Sequence, residues 1–129
     1  MKTFALLSVL AFCLLFVGCN NGGAEELKTF INEKGETILQ MGKKIEENPT
    51  EAGVDEARKV FETKMESLKA QRDALRQKLP KYGDLPIKLS ESDVHDTEML
   101  NAIQGKIVMD RAADKKFGKL RDDFKTAVK

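Results

Sequence analysis

The stretch NPTEAGVDEARKVFETKMESLKAQRDALRQKLP, residues 48–80, decides the fold. Val54, Ala57, Phe61, Met65, Leu68, Leu75 and Leu79 recur at intervals of three, four and seven residues, which puts them on one face of a helix. Lys, Arg, Glu and Asp fill the opposite face. Pro80 ends the run, and Arg76 and Lys78 in the last turn complement the helix dipole. At the start, Pro49 pushes the residue before it out of helical geometry. Asn48 is therefore expected to cap this helix, with Pro49 at its first position and Glu51 as the reciprocal cap partner. Gly53 offers an alternative start.

Upstream, a first helix is expected from about Ala24 to Glu47. Leu27, Ile31, Ile38, Met41 and Ile45 form its apolar stripe, with Phe30 beside them. Glu25 and Glu26 suit its first turn. Gly35 and Gly42 lie inside the pattern, at a cost of about 1 kcal/mol each against alanine. They read as places where a neighbouring helix packs closely. The connection to the second helix is short, so the two should form an antiparallel hairpin.

Downstream, residues 80–90 hold two prolines and a glycine, which are expected to exclude a helix. Tyr82, Leu85, Ile87 and Leu89 are too apolar for a free loop and should fold back over the bundle end. A third helix is expected from near Ser90, capped by Ser90 with Asp93 as partner. Met99 or Leu100, Ile103, Ile107, Phe117, Leu120, Phe124 and Val128 make its stripe. Its middle, around Asp110 to Lys116, is thin in large apolar groups. None of the three helices can hide its stripe alone. The expectation is an all-α, elongated three-helix bundle, with coiled-coil-like spacing and a length of about 40 Å at 1.5 Å per residue.

The N-terminus is of another kind. Lys2 is followed by an apolar run from Phe4 to Val17, broken by Ser8 alone. A membrane-spanning helix needs about 20 apolar residues. This run is shorter and ends in small residues, the layout of a cleaved secretory signal. Its close, Phe16-Val17-Gly18-Cys19, resembles the lipobox of bacterial lipoproteins, with Phe16 where leucine is usual. The resemblance covers about the first nineteen residues. It implies a diacylglyceryl group on the Cys19 thiol, cleavage before Cys19 and frequent acylation of the new amine, palmitate being a typical chain.

Residues 1–18 then read as signal peptide, 19–23 as a lipidated flexible tether rich in Asn and Gly, and 24–129 as the helical domain. In lipoproteins of the enterobacterial kind, Asn20 in place of aspartate implies an outer-membrane address, on the periplasmic or surface face. Of the two cysteines, Cys13 lies in the removed segment and Cys19 would be acylated. The mature chain then has no thiol for a disulfide framework or a zinc site.

Removing the signal takes Lys2 from the 22 basic residues and leaves 21 acidic ones in balance with the rest. That neutrality gives no electrostatic case for nucleic acid or for a polybasic lipid-binding surface. His95, the one histidine, sits among Glu91, Asp93, Asp96 and Glu98. A carboxylate–histidine metal site in a bundle needs matching ligands on facing helices, and the sequence has no such second pattern. A charged helix start is the favoured reading, with no metal or cofactor expected.

Ser67, Ser90 and Ser92 occupy helical or capping contexts, and no catalytic set is visible. Met41, Met65, Met99 and Met109 read as core filler. The expected role is a non-enzymatic, membrane-tethered envelope lipoprotein with a structural or protein-interaction task. Two alternatives are a module binding a small apolar ligand in a methionine-lined bundle core, and a surface-exposed factor acting on a host or competitor.

Overall fold

The computed structural model describes residues 23–78 and 85–129, and among them every regular element is helical. Helix α1 spans Ala24–Glu47, α2 Glu51–Lys78, α3 Leu85–Gly105 and α4 Arg111–Val128. The expected signal peptide, Cys19 and most of the expected tether lie outside the described residues, as do Leu79 and Tyr82.

The all-α class agrees with the sequence reading, but the helix count does not, because the expected third helix is two. After Gly105 the backbone tightens into i→i+3 bonds: Lys106 N donates to the Ile103 carbonyl (3.0 Å), Ile107 N to Gln104 (3.1 Å) and Asp110 N to Ile107 (3.0 Å). Asp110 then caps α4, its Oδ1 accepting from the backbone N–H groups of Ala112 and Ala113 at 3.1 Å each.

Three further expectations are corrected. Asn48 does not cap α2: its N–H donates to the Lys44 carbonyl (3.2 Å) and closes α1, while its side chain accepts from the Thr50 hydroxyl (2.8 Å). Pro49 lies outside the helix, and the Thr50 carbonyl accepts the first α2 bond from Val54 N at 3.1 Å. Residues 85–90 belong to α3. Pro86 is tolerated in the first turn because no intrahelical donor is needed there. Ile87 is 63% exposed rather than folded over the bundle end, and Ser90 is helical rather than capping. Gly23, read as tether, forms the head of α1: it adopts a left-handed φ of 83°, and its carbonyl accepts from Leu27 N at 2.9 Å.

The helices alternate in direction. α1 packs most extensively on α2, α2 on α4 and α1 on α3, while α2 and α3, though consecutive, meet little. Two glycines permit close approach. A Cβ on Gly53 would fall 1.7 Å from the Asn48 carbonyl oxygen, and one on Gly42 would fall 3.1 Å from Ile103 Cδ1. Gly35 has nothing within 4 Å, so its expected packing role does not hold.

The core runs the length of the bundle, from Leu27 and Leu75 near one end to Ile45, Val54 and Ile107 near the other, all nearly or wholly buried. Phe61 and Phe124 meet in it with centroids 5.8 Å apart and planes tilted by 58°. Met41 is core, and Met65 and Met99 pack against its edge. Met109, expected as filler, is 94% exposed in the turn between α3 and α4.

Candidate functional site

The α1 stripe contains a charge. Lys34 sits between Ile31 and Ile38 at the same helical spacing as the apolar residues, so its stem enters the core, where it is completely buried. Two carboxylates from α3 meet it. Nζ lies 3.1 Å from Asp93 Oδ1 and 2.8 Å from Asp96 Oδ2, and it stands 5.0 Å from the centroid of the Phe30 ring. Isolated in the interior, such an ammonium would cost several kcal/mol of desolvation, which pairing of this kind offsets.

The two carboxylates differ. The Asp93 side chain is half exposed, whereas Asp96 is buried. Burial raises the carboxyl pKa of Asp96 above its ordinary range and outweighs Lys34, which pulls it down. The Asp93 charge raises it further, and His95 opposes. Lys34 Nζ, 2.8 Å away, is the cation beside the buried Asp96 Oδ2. Ser92 Oγ nearby on α3 is buried without a hydrogen-bond partner among the described residues.

Helices α3 and α4 touch mainly at the end near their turn. There Gln104 Nε2 donates to Asp114 Oδ1 at 2.9 Å and Arg121 donates to Gln104 Oε1. Toward the other end they separate into a groove of about 400 Å³. Ser90, Asp93, Val94, Asp96, Thr97 and Glu98 form one wall, and Phe124, Lys125, Val128 and Lys129 the other. A wider groove between α2 and α4 runs past Phe61 and Met65 and is crossed by the Arg58–Asp123 pair at 3.0 Å.

Of the residues weighed around His95, Asp93 and Asp96 are brought together, by Lys34 rather than by the histidine. His95, Glu91 and Glu98 are exposed. No group of three or more His, Cys, Asp or Glu side chains among the described residues is placed to hold a metal ion. Ser67 donates to Glu33 Oε1 (2.9 Å) on the surface between α1 and α2, and Ser90 lines the groove. Lys34 was not anticipated. The signal was present: the α1 stripe skips seven residues from Ile31 to Ile38, and Lys34 fills the gap. No protein-family model, curated protein or solved structure matches this chain.

Proposed function

We propose that the chain is a bacterial envelope lipoprotein, acylated on Cys19, whose helical domain works as a non-enzymatic, membrane-tethered partner of other envelope proteins. The observation that carries the reading is Gly18-Cys19 at the close of a short apolar run, followed at once by polar residues and the head of α1. No helix among the described residues is long and apolar enough to cross a membrane, so the lipid would supply the attachment. Two or more acyl chains make such an anchor stable where one is marginal.

The geometry of the bundle suits this task. Its anchored end is Gly23, where Lys78 of α2 contacts Glu26 of α1. The opposite end, where Lys106 contacts Glu46, carries the exposed Val108 and Met109. The 28 residues of α2 separate the two ends by about 40 Å at 1.5 Å per residue. A tethered bundle would offer that tip to neighbours in the same layer, where confinement lets weak contacts count.

Mass spectrometry of the mature protein from native membranes tests the anchor. The expected N-terminus is an acylated Cys19. A free amine at another residue without acyl mass overturns the reading. A soluble periplasmic form that fully restores a deletion phenotype at equal abundance would overturn the tethered role. Asn20 leads us to propose the outer membrane as the destination, and recovery with inner-membrane markers on fractionation would contradict it.

A further inference from the structure

Helices α3 and α4 carry opposite charge. α3 has Glu91, Asp93, Asp96 and Glu98 against Lys88, and α4 has six basic residues against three acidic ones. Each packs on one helix of the α1–α2 hairpin, so together they form the opposite layer. On the outer side of that layer Glu91 and Glu98 of α3 and Lys125 and Lys129 at the end of α4 are exposed. None of these four is in a salt bridge among the described residues. Ile87 and Val94 share the exposed stripe of α3 with the two glutamates and are 63% and 59% exposed. Val94 and Glu98 border the groove opposite Lys125 and Lys129, so these residues lie at one height along the bundle.

A second copy of the chain complements this face in one of two simple arrangements. A two-fold axis running across the helices would lay α3 on α3 and α4 on α4, like charge on like, which is costly. An axis parallel to the helices lays α3 of each copy on α4 of the other. It keeps every residue at its own height, so Glu91 and Glu98 of one copy meet Lys125 and Lys129 of the other, twice over. Val94 then packs on the apolar stems of the lysines. The same axis leaves both Gly23 ends on one side, where two lipid anchors would enter one membrane. That last point rests on the acylation proposed for Cys19; the charge pattern does not. The 18 residues of α4 make the face about 27 Å long, and two helices at about 10 Å each make it about 20 Å broad. Pairing would bury about 500 Å² per copy, or about 1,000 Å² in all, the lower bound for a specific interface. A contact of that size is weak in solution and gains from confinement to a membrane layer.

We propose that the outer α3–α4 face is a self-association surface on which two copies pair about an axis parallel to their helices, acidic α3 against basic α4.

Sedimentation equilibrium of the full mature protein in density-matched neutral detergent, with micelles in excess over protein, tests this with or without the acyl groups. Two double variants reverse one side each: Glu91→Lys/Glu98→Lys makes both helices basic, and Lys125→Glu/Lys129→Glu gives α4 an acidic end. All four side chains are exposed, so the fold persists. The parent should approach dimer mass as its concentration rises toward millimolar. Each variant alone should dimerise at least about tenfold more weakly. An equimolar mixture of the two should recover the dimer, because the basic α3 of one then meets the acidic α4 of the other on both sides of the axis. Monomer mass of the parent at millimolar concentration, dimerisation unchanged in either variant, or a mixture no more associated than its components would each overturn the proposal.

Discussion

Gly53 lies so close to Asn48 that a single added carbon would sit 1.7 Å from the Asn48 carbonyl oxygen. This contact joins the first turn of α2 to the end of α1 and sets how tightly the hairpin closes. The obstacle is backbone, which cannot swing aside as a side-chain tip would. Gly53→Ala should therefore destabilise the protein by about 1–3 kcal/mol despite the better helix propensity of alanine. Gly35→Ala meets nothing within 4 Å and should stabilise it by about 0.5–1 kcal/mol. Urea midpoints of the two variants should move in opposite directions. Movement in the same direction would contradict the account.

Lys34→Met removes the cation and leaves Asp96 buried. Breaking such a pair from one side should cost about 3–5 kcal/mol at neutral pH. The double variant Lys34→Met/Asp96→Leu should recover most of that loss, because two apolar side chains can fill the same space without an uncompensated charge. Urea denaturation of the three proteins checks this. A single variant within about 1 kcal/mol of the parent would mean the pair is not buried as described.

Asp96 also predicts a pH dependence. Its folded pKa is raised above the ordinary value of 3.8, chiefly by burial. Folding therefore favours the protonated carboxyl. The stability this group contributes is fully present below about pH 3.8 and is lost as pH rises through the raised value. Lys34 from α1 and Asp93 and His95 from α3 act on it, and all three are retained in Asp96→Asn. The parent protein should accordingly lose stability relative to Asp96→Asn as pH rises from about 4. Paired urea midpoints at several pH values give the difference, and one that does not vary with pH would refute the assignment.

Phe61 is 2% exposed and packs on Phe124. Phe61→Ala should cost about 3–5 kcal/mol, of which the ring pair itself contributes about 0.5–1.5 kcal/mol. A double-mutant cycle with Phe124→Ala separates the two. Zero coupling would show that the rings fill space without interacting.

Much of this architecture was legible in the residues. The limits of α1 and the α2 stripe follow from spacing, because a 3.6-residue period and one buried face leave little freedom. The break between α3 and α4 is masked in the sequence because Ile103, Ile107 and Phe117 read as one thinning stripe. Gly105 and Asp110, a helix stop and a helix cap, were the local signs. The start of α3 is hidden in the sequence because a proline such as Pro86 marks a helix break and a first-turn position alike. The ion cluster was half legible: Asp93 and Asp96 stand out, but Lys34 lies 59 residues from Asp93 in sequence. Tertiary packing, which spacing does not encode, brings them together.

The order in which the helices meet has a kinetic consequence. The α1–α2 hairpin closes over residues 48–50, and a connection that short costs little entropy. The partner of α2 on its other side is α4, the last 18-residue helix of the described chain. A hairpin formed before α4 docks would leave the Phe61 side of α2 bare, and bare apolar surface of that kind is where two molecules can stick to each other. Docking of residues 111–128 would therefore close a surface through which two partly folded molecules could associate.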